Sequence, residues 1–424
     1  MSVSERRLPR ERAPARLHYA WPVLAVGTLV VFGALGLARF GYTMLLPPMQ
    51  AALDLDNTQA GALATANLVG YLALTVIGGA LASHVGPRIV IAVGLAVAAL
   101  GMLLTGLAET FGAALGWRAL TGIGSGASNV PVMALLSAWF VQRRRGLAAG
   151  IGVTGSSLAL ILLGPLVPRL LADHGEDGWR LCWFGFAGLT LLIAILALLV
   201  LRNRPADVGL RPLGTSDEAT PAVSVADGLH WGSVYRAGVI WHVGLVYVAF
   251  GFSYIIYMTF FTKYLVAEAH YSAVEAGRLF MTMGWVSLLC GLIWGWASDH
   301  VGRKGALIAV YLIQAVAFGL FALWPSPSGL TLSAVLFGLT AWSIPAIVAA
   351  LCGDLLGSRL APAGLGFVTL FFGIGQAIGP SAAGAVADAT GSLAPAMLLA
   401  AGAALLGAIG SLLLGHPGVA SGKG

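Results

Sequence analysis

The chain has 424 residues, of which 58% are hydrophobic and only 9% are charged. Soluble globular proteins carry about 25% charged residues. A water-soluble protein of this length could not cover its surface with so few charged side chains. The net charge of +6 does not indicate a nucleic-acid partner, because the arginines stand in short segments between apolar runs, as membrane topology requires. The composition excludes a soluble protein and predicts an all-α protein surrounded by a lipid bilayer.

Twelve apolar runs are long enough to cross a bilayer, which takes about 20 residues. The runs of the first half are 21–47, 59–83, 88–108, 112–139, 146–168 and 180–201. The runs of the second half are 238–262, 274–298, 304–324, 330–352, 363–386 and 392–414. Each half therefore has six predicted transmembrane helices.

The segments outside these runs divide the chain into domains. Residues 203–235 contain three prolines and mixed charge and predict a polar linker. We expect six-helix bundles at 19–202 and 236–415, with tails at 1–18 and 416–424. If the N-terminus is cytoplasmic, 17 of the 23 Lys and Arg residues lie on the cytoplasmic side, so we expect the linker and both termini there. No cleavage site follows the arginine-rich first segment, and we predict no removable signal peptide.

The two halves match each other at a nearly constant offset, which indicates an internal repeat. Residues 79–88 end run two, and the similar residues 295–304 end run eight, at an offset of 295 − 79 = 216. Three further pairs keep this spacing to within one residue: Gly122 with Gly338, Gly164-Pro165 with Gly379-Pro380, and Gly36 with Gly251. Because each half has an even number of spans, the two bundles share one orientation and can rock about a site between them.

The segments 79–88 and 295–304 resemble the loop signature of the major facilitator superfamily, Gly-x-Leu-Ala-Asp-Arg-x-Gly-Arg-Lys. The second copy is the better match, because the first has Ser83 where the family has Asp and Pro87 where it has a basic residue. The resemblance covers the whole chain. It implies the major facilitator fold and a secondary active or facilitative transmembrane transporter, which moves a small solute by rocker-switch alternating access.

Two further motifs are similar to those of the same superfamily. Run four contains Arg118-x-x-x-Gly122-x-Gly124, like the family's helix-4 motif. Run five resembles the helix-5 antiporter motif, although Pro168-Arg169 replace the glycines that usually follow it. The motif positions in runs five and eleven are Gly155, Gly164, Pro165, Gly379 and Pro380.

A narrower resemblance concerns runs one and two. The stretch from Gly36 to Met49, together with Gln59-Ala-Gly61 and Ala66-Asn67-x-x-Gly70-Tyr71, is similar to the bacterial YbfB/YjiJ-type branch. The resemblance to a bacterial branch implies the inner (plasma) membrane.

Two arginines lie inside apolar runs, where a guanidinium is expensive and usually faces a polar cavity or a partner. Arg39 is in run one and Arg118 in run four, and the resemblance places helices one, four, seven and ten around the central cavity. Two other interpretations stay open: Arg118 braces its helix against its neighbours, and Arg39 pairs with backbone carbonyls at a helix break near Pro47. The candidate substrate-binding residues are Arg39, Tyr42, Arg118, Ser125, Asn129, Tyr254, Tyr257, Trp342 and Gln376.

The chemistry of these residues favours a small organic anion with an apolar body. Arg39 supplies a basic group, and its repeat counterpart Tyr254 belongs to a tyrosine stripe in run seven that plain packing would also explain. None of the 17 acidic residues falls in the middle of a run, although proton-coupled carriers usually need a buried carboxylate. The alternative is a proton-coupled multidrug efflux antiporter, which the partial helix-5 motif favours.

The repeated loop segments are candidate conformational latches. By repeat symmetry, Asp299 is expected to face the N-terminus of run five near Arg145 and Gly146, where the helix dipole and the arginine attract a carboxylate. This contact would form in one access state and break in the other. The candidate latch residues are Ser83, Gly86, Arg88, Asp299, Gly302 and Arg303.

The remaining function classes lack their sequence signatures. No Ser/His/Asp set, His-Glu-x-x-His motif or paired carboxylates indicate an enzyme. The three cysteines lie in apolar stretches at unrelated spacings, which argues against a disulfide framework or a metal site. We expect no cofactor, and we expect a monomer whose partners are its substrate and the lipid bilayer.

Overall fold

The computed structural model describes residues 18–215 and 236–415. The basic tail, most of the linker and the C-terminal tail lie outside the described residues. Within the described ranges the backbone is almost entirely helical, and its β-structure is limited to one isolated bridge between Phe140 and Leu213. That bridge fixes the first part of the linker against the connection between the fourth and fifth spans.

Eleven helical segments of the described residues are long and apolar enough to cross a membrane. The longest, Gln142–Val200, is two helices separated by a 3₁₀ turn at Gly175–Asp177, which gives twelve spans. Spans 1 to 6 are Ala20–Ala52, Asn57–Val85, Pro87–Gly106, Phe111–Trp139, Gln142–His174 and Gly178–Val200. Spans 7 to 12 are Gly238–Ala267, Ala273–Val301, Arg303–Leu323, Pro327–Leu356, Ala363–Thr390 and Ala394–Leu412. The predicted fold class is confirmed.

Two spans contain breaks that the apolar pattern did not predict. Span 1 is an α-helix at each end with a π-helical segment, Phe32–Phe40, between them. Such wide turns are rare and often accompany functional sites. In span 10 the first helix ends at Thr340, and a new one starts at Ser343 and continues through the connection into span 11. Arg39 stands in the first break and Trp342 in the second.

Glycines set the distance between spans 2 and 4. A Cβ atom added to Gly70 would meet the carbonyl oxygen of Ala119, and one added to Gly122 would meet that of Asn67. In lipid, where apolar burial does not drive helices together, small residues of this kind allow close backbone packing. Spans 2 and 4 therefore form a rigid pair that presents Tyr71 and Asn129 next to each other.

The two ends of the molecule can be told apart by the chain connections. We call the end at which span 6 finishes and span 7 begins the linker end, and the opposite end the far end. The Tyr19 hydroxyl donates to the Val200 carbonyl at 2.7 Å, so the start of span 1 also lies at the linker end. The turns after spans 2 and 8 lie there too, and each contains a glycine with positive φ, Gly86 at 98° and Gly302 at 83°.

The two halves are in close contact toward the far end. Gly164 of span 5 and Gly277 of span 8 are so close that a Cβ atom on either would overlap the carbonyl oxygen of the other. Asp388 of span 11 accepts hydrogen bonds from the backbone N–H groups of Asn57 and Thr58 at 2.9 and 2.7 Å, and from the Thr58 hydroxyl at 2.6 Å. A carboxylate at a helix N-terminus is favourable, so this cap joins span 11 to span 2 across the two halves.

The same spans separate toward the linker end. Gly146 and Gly150 of span 5, and Gly291 and Gly295 of span 8, have open space where a Cβ atom would stand. These spans pack tightly further along, at Gly164 and Gly277. Among the described residues, the structure is therefore closed at the far end and open at the linker end.

Candidate functional site

Arg39 lies near the end of the π-helical segment, at the interface between the two halves. Its guanidinium carbon is 4.5 Å from the centre of the Tyr71 ring, and the group is also close to the Tyr254 hydroxyl of the other half. The buried Nε and Nη2 atoms of Arg39 have no hydrogen-bond partner. The guanidinium is thus placed by an aromatic face and still has free donors.

Arg118 is only 1% exposed and lies inside the N-terminal half. Its Nη1 donates to the Ala38 carbonyl at 2.7 Å, next to Arg39 in the chain. Its guanidinium carbon stands 4.7 Å from the Tyr42 ring centre and 5.1 Å from that of Trp183. Of the two interpretations left open by the sequence, this geometry matches the brace, because Arg118 ties span 4 to the π-helical segment.

Tyr42 and Ser125 lie close to Arg118 and are also used within their own half. The Tyr42 hydroxyl donates to the Ala60 carbonyl at 2.7 Å, which ties span 1 to span 2. The Ser125 hydroxyl donates to the Thr121 carbonyl of its own helix at 2.9 Å. Neither hydroxyl points to the other half in this state.

Tyr71 lies at the candidate site, although the sequence pattern did not predict it there. Asn129, which was expected to bind substrate, instead donates its Nδ2 to the Tyr71 hydroxyl at 2.9 Å. The ring held in this way forms the surface on which Arg39 stacks. The available signal was the Asn67-x-x-Gly70-Tyr71 stretch of the narrower resemblance, which names the residue without indicating its role.

The wall on the C-terminal half is aromatic. Tyr254 stacks on Phe250 and Phe372, with ring centres 4.8 and 5.9 Å away, and its hydroxyl accepts a hydrogen bond from Gln376. Trp342 reaches the other half, because its Nε1 donates to the Ser157 hydroxyl at 3.0 Å. Three of the candidates from the C-terminal half therefore lie at or near the interface.

Tyr257 does not belong to this interface, contrary to expectation. Its hydroxyl lies 2.9 Å from the Ser333 hydroxyl, and its ring packs against Phe318, Phe321 and Phe337 inside the C-terminal half. The three-residue spacing from Tyr254 was enough to turn the side chain from the interface into the bundle. We therefore remove Tyr257 from the candidate site.

The candidate latch of the second repeat contacts only its own half in this state. Arg303 bridges two carboxylates, Asp299 at 2.5 Å and Asp354 at 3.2 Å. Among the described residues, Asp299 pairs with Arg303 and not with Arg145, and nothing would contact a Cβ atom on Gly146, so the expected contact with the start of span 5 is not formed. This result fits a structure that is open at the linker end, where such a contact would be broken.

The latch of the first repeat is also tied within its half. The Arg88 backbone N–H donates to Asn203 at 2.9 Å, and its Nε donates to the Leu198 carbonyl at 2.7 Å. A Cβ atom on Gly86 would lie 2.5 Å from Asn203 Nδ2, so this turn packs on the end of span 6. Ser83 is exposed in the same region.

The motif residues of spans 5 and 11 make packing contacts. A Cβ atom on Gly155 would meet the Thr28 carbonyl of span 1, while Gly164 contacts span 8. Gly379 packs on span 7, where a Cβ atom would lie 2.9 Å from the Phe252 carbonyl oxygen. The carbonyl of Pro380 stands against Gly61 of span 2, and Pro165 lies inside the span 5 helix.

Comparison with known proteins decides the family. Residues 31–412 match the family described as "Uncharacterised MFS-type transporter YbfB". The chain belongs to this family of major facilitator superfamily transporters. The resemblance seen in the loop signature and in runs one and two is thereby confirmed, and this membrane transporter is multi-pass.

Relatives of this transporter span nearly its whole length. The hexuronate transporter of Bacillus subtilis (strain 168) is 22% identical over 393 residues, which cover 90% of this chain and 91% of that protein. Monocarboxylate transporter 13 of Rattus norvegicus is 28% identical over 348 residues, which cover 80% of this chain and 75% of that one. Both proteins are named as transporters, and the family description also names a transporter.

A solved structure supports the fold of this transporter. A bacterial homologue of the human lysosomal transporter Spinster, captured in an inward-facing and unoccupied conformation, superposes with a TM-score of 0.72. The match covers 93% of this chain and 95% of that chain, at 17% identity. At this identity the likeness concerns the fold alone.

The contact between Arg39 and Tyr71 predicts a measurable coupling. In a double-mutant cycle of Tyr71→Leu and Arg39→Gln, we expect a coupling free energy of about 0.5–2 kcal/mol, the range of a cation–π contact. The measurement is the free energy of unfolding of the four purified proteins. Tyr71→Phe is the matched control, because it keeps the ring and loses only the hydroxyl that Asn129 holds. Additive effects of the two substitutions would contradict the stacking role.

Proposed function

We propose that this transporter carries a small organic anion by alternating access, and that the Arg39 guanidinium holds the anionic group. The observation that supports it is the uncompensated charge of Arg39, whose buried Nε and Nη2 nitrogens have no hydrogen-bond partner among the described residues. An arginine at membrane depth costs about 2.5–3.5 kcal/mol on insertion scales. A carboxylate from the substrate would offset this cost whenever the site is loaded.

The described part of the chain supplies no suitable acid. In the described residues, the carboxylates stand at helix ends or in connections, as Asp56, Glu275, Asp299 and Asp388 do. Among the described residues, the acids form ion pairs with Arg180 and Arg303, and none forms one with Arg39. The Nε and Nη2 atoms of a guanidinium can bind both oxygens of one carboxylate, which is the pairing we assign to the substrate.

The nature of the relatives favours the same substrate class. The two relatives reported above are named for hexuronate and for monocarboxylates, which are carboxylate anions. A lipophilic cation, as the efflux alternative requires, would meet the repulsion of Arg39. The aromatic side chains of Tyr71, Tyr254 and Phe372 would contact the body of the anion.

Substitution of Arg39 tests the anion site directly. Purified protein is screened by thermal shift against hexuronates and short monocarboxylates, and the best ligand is then titrated. We expect Arg39→Lys to bind at least about tenfold more weakly, because a point charge cannot reproduce the planar fork. We expect Arg39→Gln to lose binding while its unliganded melting temperature does not fall, because it removes a buried charge.

The matched control is Arg180→Gln. Arg180 is also a partly buried arginine, but it donates to the carbonyls of Gly106 and Ala108 at 2.8 and 2.9 Å within its own half. We expect this variant to lose stability and to keep the parent's affinity. Unchanged ligand affinity in Arg39→Gln, or a preference for cationic ligands, would rule out the anion site.

Alternating access needs contacts that form at one end while those at the other end break. The Asp388 cap on span 2 joins the halves at the far end. Asp299, at the linker end, is 62% exposed as a side chain and contacts only its own half here. We propose that Asp299 binds the start of span 5 when the linker end closes, so that the two carboxylates act in opposite states.

Neutralising the two carboxylates should shift the balance in opposite directions. Loss of charge-assisted hydrogen bonds costs about 1.5–3 kcal/mol, so Asp388→Asn is expected to shift the equilibrium toward opening at the far end by about tenfold or more. Asp299→Asn is expected to favour opening at the linker end. The measurement is the labelling rate of single cysteines placed at each end in a cysteine-free background. Asp177→Asn, at an exposed far-end turn, is the control, and shifts in one common direction would exclude opposed latches.

The orientation in the membrane follows from the basic residues. We propose that the linker end faces the cytoplasm, with both termini, and that the membrane is the bacterial inner membrane. Reporter fusions within the linker and after residue 270 are expected to report opposite sides. The same side for both would contradict this orientation.

A further inference from the structure

A small cavity lies between the two arginines, where spans 1, 2 and 4 meet span 7. It has a volume of about 10 Å³ and is lined by Arg39 and Arg118 together with, among others, Tyr42, Asn67 and Thr259. None of the described residues that line it is acidic. Its walls come from both halves, so the cavity must change shape when the halves move.

The charges around this cavity are unbalanced. The Nε atom of Arg118, like Nε and Nη2 of Arg39, is buried without a hydrogen-bond partner. Both arginines line the same small cavity, so their positive charges repel each other. One carboxylate bound to Arg39 would compensate only one of these two positive charges, and the charge of Arg118 would remain.

The volume of the cavity limits what can supply the second negative charge. A single water molecule needs about 10–15 Å³ by this measure, so the space suits one particle of that order of size. A whole organic anion is too large for this cavity. A halide is larger than a water molecule, so it fits only when the walls contributed by the two halves move slightly apart. Arg118 is fixed by Ala38, Tyr42 and Trp183 and presents its free Nε in a defined direction.

We propose that a monatomic anion, with chloride as the physiological candidate, binds in this cavity between Arg39 and Arg118 as a second ligand of the transporter. The inference rests on the proposed function, because it assigns the organic anion to Arg39 and the halide to the charge that remains. It gives the carrier a coupling ion in a membrane interior that offers no carboxylate for a proton among the described residues. Chloride movement would then accompany or oppose the organic anion.

The competing occupant of the cavity is one water molecule. Asn67 donates its Nδ2 to the Arg118 carbonyl at 3.2 Å, and its Oδ1 is buried without a partner. A water could accept from Arg118 Nε and donate to this Oδ1, but it would carry no charge. The halide is therefore expected on the arginine side of the cavity, away from Asn67, and the test must separate a halide from water.

The first test measures melting temperature against sodium chloride in the absence of any organic anion. We expect a saturable rise for the parent protein, on top of the slow linear effect of salt. Ala64 lines the cavity and is 6% exposed, so Ala64→Val fills the space without removing a charge and is expected to abolish the saturable rise. Arg118→Gln is expected to do the same, while Arg180→Gln, outside the cavity, is expected to keep it.

The second test identifies the occupant directly and needs only the parent protein. Crystals soaked in sodium bromide are expected to show an anomalous peak between Arg39 and Arg118. Density without an anomalous signal would identify water and overturn the proposal, as would a saturable chloride effect that persists in Ala64→Val. If the substituted proteins do not fold, the bromide experiment still decides.

Transport assays separate this inference from the proposed function. In proteoliposomes, uptake of the organic anion is expected to change severalfold when chloride is replaced on one side, and Ala64→Val is expected to lose this dependence. Uptake that is independent of chloride would overturn the halide site and leave the organic anion carrier intact. No uptake of carboxylates under any chloride condition would instead count against the proposed function.

Discussion

The buried positive charge of Arg39 is the constraint on which the site depends. A guanidinium inside a membrane costs several kcal/mol unless its surroundings offset the cost. Tyr71 offers the face of its ring, and Asn129 holds that ring in place. Arg118 holds the neighbouring Ala38 carbonyl, which fixes the backbone that carries Arg39. These contacts orient the charge toward the other half without neutralising it, and we propose that a ligand supplies the remaining compensation.

The contacts between the halves are of two kinds, and they have different consequences for movement. Gly164 and Gly277 allow backbones to touch, which is a short-range contact that is lost with a small separation. The Asp388 cap is electrostatic and directional, and it spans two helix ends. The first kind determines how closely the halves can approach, and the second contributes free energy that holds them there. The alternating access that we propose would need both, because tight apolar packing alone gives little directional control.

Much of the fold was predictable because lipid imposes a simple rule. Apolar runs of sufficient length must be helices, and the predicted runs agree with the spans to within a few residues at most ends. The repeat gave the pairing of the halves, including the glycine turns at Gly86 and Gly302. The break in span 1 was not predictable, because no residue in Phe32–Phe40 signals a π-helix. The cap by Asp388 was missed because residues far apart in the chain create it.

The site was predictable only in part, for physical reasons that single residues illustrate. Arg39 and Arg118 could be predicted because placing a charged side chain in the bilayer costs free energy. That cost does not reveal whether an arginine binds a ligand or a backbone carbonyl. Tyr254 and Tyr257 share a helix face by spacing, yet a turn of a few tens of degrees separates the interface from the bundle interior. Tyr71 could not be found in this way, because a tyrosine in a transmembrane helix has no large energetic cost that would mark it as functional.

The π-helical segment of span 1 also affects how sequences of related carriers should be compared. An α-helix advances by 3.6 residues per turn, so each residue accounts for about 100° of rotation. A π-helix closes its turns with one residue more than an α-helix. A relative whose first span is α-helical throughout therefore needs an alignment gap opposite Phe32–Phe40. Only with that gap do aligned residues beyond the segment lie on the same helix face in both proteins. Aligned without that gap, an arginine in the same column as Arg39 would point about a quarter-turn away from the cavity, and conservation in that column would be misjudged.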